Sequence, residues 1–76
     1  MNAVQNNFCR NLKLLRKKYG LSEWQMARIL KLSDEAVDAL EQGFVPDEVD
    51  TGTLLLIHGY YGITPGQMLG DDKIFE

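Results

Sequence analysis

The sequence predicts a single all-α domain in which five short helices pack around one core. Apolar residues recur at three- and four-residue steps, the period of an amphipathic helix. Helix-capping residues and helix-ending glycines punctuate the chain at short intervals. No stretch alternates in the manner of a strand, and there is no internal repeat. At 76 residues, such a domain buries only about 60% of its unfolded surface, so modest stability is expected.

The elements follow in order. Val4, Phe8, Leu12, Leu15 and Tyr19 form the apolar stripe of a first helix, about 4–19, and Gly20 stops it. Ser22-Glu23-Trp24-Gln25 is a capping box that opens a second helix, 23–30, with Met26, Ala27 and Leu30 facing inward. Only Lys31-Leu32 separates it from Ser33, the N-cap of a third helix, 34–42, with Asp34 and Glu35 in its first turn and Val37 and Leu40 inward. Gly43 ends that helix, and FVPDEVD (44–50) reads as a loop because Pro46 opposes helix and acids crowd around it. Asp50 or Thr51 caps a fourth helix, 51–61, despite Gly52 and Gly59, each of which costs it up to ~1 kcal/mol. Gly62 closes it. Thr64-Pro65-Gly66-Gln67 is a second capping box, with proline at the favoured first position of a short fifth helix, 65–69. Residues 1–70 therefore form the domain. Residues 71–76 form a tail in which Ile74 and Phe75 could anchor on a neighbour.

Composition narrows the function. The chain is 45% hydrophobic and 25% charged, as soluble globular proteins are. Its longest apolar run, Leu54 to Ile57, is far short of the ~20 residues of a membrane span, and MNAVQNNFCR lacks the pattern of a signal peptide. Cys9 is the only cysteine, which excludes an internal disulfide and fits a reducing cytoplasm. With His58 the only histidine, a structural zinc site is not expected. No cofactor, metal or catalytic residue is expected, so the chain reads as a non-enzyme. Charge is segregated instead. Arg10 to Lys31 holds seven bases against one acid, Glu23, whereas Ser33 to Asp50 holds seven acids and no base. Blocks of this kind speak to partners rather than to fold.

Two helices of about eight residues joined by a tight turn, after a longer helix, have helix-turn-helix spacing. The string NLKLLRKKYGLSEWQMARILKLSDEAVDALEQG, followed by TLLLIHGYYGIT, resembles the Cro and lambda-repressor-like (XRE-type) helix-turn-helix family from about Arg10 to Leu69. Leu12, Leu15, Leu21, Met26, Ala27, Leu30, Leu32, Val37 and Leu40 fall where that family places its core. The resemblance implies a compact five-helix DNA-binding domain, cytoplasmic and of bacterial or phage origin. It also implies a partly buried ion pair between Arg16, four residues before the first closing glycine, and Glu41, two residues before the third helix's glycine.

By the same resemblance, the recognition surface comprises Glu23, Trp24, Ser33, Asp34, Glu35, Asp38 and Ala39. DNA-binding members carry donors to phosphates and base edges at these positions. Here only the Trp24 indole is a strong donor, and Asp34, Glu35 and Asp38 would face a polyanion. A unit charge 4 Å from a phosphate is repelled by ~1 kcal/mol even in water. Three of them approach the ~4–10 kcal/mol that separates specific from non-specific binding. The loop after the third helix is about two residues longer than is usual in the family and carries Asp47, Glu48 and Asp50 in place of basic phosphate contacts. Lys31 stands where the family has its turn glycine. Phosphates would have to be met by Arg10, Lys13, Lys17 and Lys18 of the first helix, helped by Arg28 and Lys31.

The remaining residues read more plainly. Trp24, at an early-helix position, is either an exposed contact or a cover for a neighbouring helix. Cys9 is a small, semi-buried filler, His58 a surface or satisfied core residue, and Leu14 an exposed single leucine. Two functions are therefore expected. One is a small transcriptional regulator, expected as a homodimer, with weak or atypical readout of duplex DNA. The alternative is a degenerate helix-turn-helix that meets a basic protein surface through its acidic third helix and loop, or a second copy of itself head to tail.

Overall fold

A computed structural model describes residues 3–71. Ile74 and Phe75, expected to anchor the tail, lie outside the described residues. Five helices follow one another: α1 Ala3–Lys18, α2 Glu23–Leu30, α3 Asp34–Glu41, α4 Thr51–Tyr61 and α5 Pro65–Leu69. α1 packs against α5 and α3, α2 against α3 and α4, and α4 against α5. No helix among the described residues is long and apolar enough to cross a membrane.

The starts are made by side chains. Ser22 Oγ accepts from the Gln25 amide at 3.2 Å while Gln25 Oε1 accepts from the Ser22 amide at 2.8 Å, and Thr64 and Gln67 repeat the arrangement at α5. Ser33 Oγ accepts from the Ala36 amide at 3.1 Å. Asp50 takes the cap position of α4, its amide donating to Thr53 Oγ1 at 3.3 Å.

The ends of α1, α2 and α3 share one construction. Just past each helix, at the third residue after α1 and α3 and the second after α2, an amide donates back to a carbonyl five residues earlier: Leu21 to Arg16 at 3.0 Å, Leu32 to Ala27 at 2.9 Å and Phe44 to Ala39 at 2.9 Å. This closure needs a left-handed residue just before the donor. Gly20 and Gly43 supply it at φ 65° and 93°, but after α2 it is Lys31 at φ 58°, the one positive-φ residue other than glycine among those described.

The core is drawn from every helix. Phe8, Leu12 and Leu15 of α1 meet Met26, Ala27 and Leu30 of α2, Val37 and Leu40 of α3, Ile57 of α4 and Met68 of α5. Leu32 in the α2–α3 turn is buried too, whereas Leu21 is half-buried and only packs against the cluster. The ends of the α1 stripe escape burial: Val4 and Tyr19 are each half-exposed. Val4 lines an open cleft rather than the closed core, and the Tyr19 ring packs against Tyr61 of α4, with ring centroids 4.9 Å apart. Cys9 is 5% exposed, deeper than a semi-buried filler, and burial raises its thiol pKa, so the reactive thiolate is disfavoured.

Arg16 and Glu41 form the ion pair expected of them. The Arg16 guanidinium donates to both Glu41 oxygens at 2.8 and 3.0 Å and to the Leu21 carbonyl at 2.8 Å, joining α1 to α3 and to the turn before α2. Asn11, in the middle of the α1 stripe, is 1% exposed. Its amide donates to the Met68 carbonyl at 2.8 Å and to those of Gln67 and Gly70 at 3.2 Å, satisfying the C-terminal end of α5. A buried amide with those bonds costs little; without them it would cost several kcal/mol in an apolar medium, by transfer scales of order ~2–7.

Candidate functional site

α2 and α3 are joined by only three residues, Lys31, Leu32 and Ser33. The left-handed Lys31 reverses the chain sharply, and the buried Leu32 pins the turn onto the core. Ser33 then starts α3 under its own cap. Because Ala36, Val37 and Leu40 face the core, the helical period sends Asp34, Glu35 and Asp38 to the opposite side, where all three are exposed. Ala39 sits half-buried at the edge of that face. At the start of α2, Trp24 is 57% exposed, while Glu23 is half-buried.

The electrostatics of this face are uncompensated. Among the described residues no arginine or lysine pairs with Asp34, Glu35 or Asp38; the Asp38 carboxylate accepts only from the Gln42 amide at 2.9 Å. Glu48 joins them from the loop. Its carboxylate accepts from Ser33 Oγ at 2.7 Å and from the Ser33 amide at 3.0 Å, and these two bonds hold its pKa below the ordinary glutamate value. A carboxylate thus occupies the start of α3, where free donors and the helix dipole favour an anion. Both Ser33 donors that could reach a phosphate are already taken.

The six bases expected to meet phosphates, Arg10, Lys13, Lys17, Lys18, Arg28 and Lys31, are all exposed. Arg10, Lys13 and Lys17 share one face of α1 at three- and four-residue steps. Arg10 is partly committed elsewhere: its guanidinium donates to Asn7 and Asn11 and, at 3.1 Å, to the Gly70 carbonyl. Arg28 and Lys31 close α2 directly before the acidic face, so the α2–α3 unit carries both signs within a few residues.

Reading the sequence missed two residues. Glu48 looked like one more loop acid, because its bond to Ser33 spans fifteen positions. Asn11 had a signal: an amide set inside an apolar helical stripe has to find partners. Among the described residues no cluster of histidine, cysteine or carboxylates could hold a metal ion, and His58 is exposed. Comparison with known proteins finds no matching family model, no matching curated protein and no matching solved structure.

Proposed function

We propose that this chain is a helix-turn-helix domain of the Cro and lambda-repressor type and acts as a small transcriptional regulator that meets duplex DNA mainly through its phosphates. The arrangement of α2 and α3 supports this reading most directly. Two eight-residue helices are linked by a three-residue turn whose first residue, Lys31, is left-handed, and the second presents one full face to solvent. Base reading in the major groove is weak in this proposal, because that face offers acceptors where guanine and adenine edges ask for donors or bidentate amides. Affinity comes from Lys13, Lys17, Arg28 and Lys31 at phosphates, so it is low and falls steeply with salt.

A gel shift with random-sequence duplex tests this. Retention at ~50 mM salt that is lost by ~200 mM is expected, because binding by phosphate contacts releases counterions. No retention at the lower salt removes the nucleic-acid reading.

The clasp between Glu48 and Ser33 favours a second reading. With both Ser33 donors taken by Glu48 and no arginine or lysine on Asp34, Glu35 or Asp38, the face is complementary to a basic protein surface, such as the DNA-contacting side of another regulator. In that case the chain binds a basic protein domain at low salt and leaves duplex DNA unretained.

A further inference from the structure

An open apolar cleft of about 130 Å³ has no α3 residue in its lining. Val4 and Phe8 of α1, Val45 and Val49 of the loop, Leu54 of α4 and Leu69 of α5 line it, together with Asp50. Four separate segments converge here without closing over it, and Val4 is 49% exposed as a result. A wetted concavity of this kind is a place where an apolar side chain gains by leaving water.

We propose that the cleft is the seat of the chain's own C-terminal segment, with Ile74 and Phe75 filling it and Lys73 facing the acidic loop. Three observations support this occupant. Leu69 is itself part of the wall and lies two residues before Asp71, where the described residues end. At about 3.3–3.6 Å per residue, Ile74 stays within ~18 Å of Leu69, so the cleft is within reach. Ile74 and Phe75 are the only apolar residues after Leu69. Charge agrees as well: Lys73 is the only base after Lys31, and the loop that forms one wall carries Asp47, Glu48 and Asp50. A segment tethered this closely has an effective concentration in the millimolar range, so it outcompetes the same segment of a second copy at lower protein concentration. Seating it also braces residues 44–50, the loop whose Glu48 holds the start of α3. The proposal does not depend on the nucleic-acid reading.

The test is proton NMR on the whole chain at two concentrations, beside F75D and I74D. The expected result is a set of contacts from the Phe75 ring to the Val49 and Leu54 methyls that is independent of concentration and lost in F75D. Both variants should also lose amide-exchange protection at Val49, while the Leu12, Leu15 and Leu40 methyl shifts stay in place as a sign of an intact fold. A Phe75 ring with coil-like shifts and no contacts overturns the proposal. So do contacts that appear only as concentration rises together with a doubling of mass, which would make the occupant a second copy's tail. Should either aspartate variant fail to fold, L54K keeps the question open to measurement from the other side: it should displace the Phe75 ring, and an unmoved ring overturns the proposal.

Discussion

Lys31 holds a backbone conformation that costs an L-residue roughly 1–2 kcal/mol, in the slot that Gly20 and Gly43 fill after α1 and α3. Its side chain is exposed. K31G should therefore raise the stability by about 0.5–1 kcal/mol once glycine's greater unfolded freedom is set against the relief, seen as a higher urea midpoint at an unchanged m-value. A lower midpoint would mean that the lysine makes a stabilising contact. Arg16 and Glu41 lead to the opposite expectation. Their side chains are 17% and 9% exposed, so removing one partner leaves a poorly solvated charge. Glu41→Gln should cost about 3 kcal/mol, whereas replacing both by apolar residues (R16M with E41L) should recover much of that. Little loss in Glu41→Gln with a larger loss in the double variant would argue that only the Arg16 bond to the Leu21 carbonyl matters.

At the scale of elements, the bond between loop and helix carries a pH dependence. Glu48 has a lowered pKa because Ser33 Oγ and the Ser33 amide both donate to it. The depressed carboxylate favours the folded state at any pH above the ordinary glutamate value, and this contribution is lost as pH falls through the lower, folded-state value. Thermal midpoints measured across the acid range below about 4.5 should fall less steeply in Glu48→Gln than in the parent chain. Parallel curves would mean that the clasp does not persist in solution. The helix starts and stops were legible beforehand, because a cap or a left-handed residue acts within a few positions of itself. The start of α3 was only half legible. Its local cap, Ser33, was visible, whereas the second anchor arrives from a loop whose position depends on how α4 packs.

Across the whole molecule, two blocks of charge are held apart. Apart from Arg16 and Glu41, the bases of α1 and α2 and the acids of α3 and its loop are exposed, and Arg16–Glu41 is the one ion pair joining the two sets among the described residues. Little internal neutralisation therefore softens the repulsion between α3 and a phosphate backbone. Replacing Asp34, Glu35 and Asp38 together by glutamine should raise low-salt duplex affinity by about 10- to 100-fold, taking ~1 kcal/mol per removed charge with allowance for screening. Unchanged affinity would place the contact surface elsewhere, or the partner in another class. Core positions were largely predictable, since Leu12, Leu15, Met26, Leu30, Val37 and Leu40 are inward by period alone. The ends of α1 were not, because a stripe continues past the point where a neighbour stops covering it.

Amino-acid order alone determined where the helices begin and end to within a residue, most of the residues that turn inward and that acids crowd one short segment, all of which follow from interactions within a few residues. Tertiary packing alone decided that Glu48 closes on Ser33, that Asn11 is buried against the last turn of α5, and that Val4, Val49, Leu54 and Leu69 meet around an open cleft. Those contacts join residues up to sixty-five positions apart, and local propensity is silent over such separations. Geometry there is set by which helix faces find each other once water is expelled from between them.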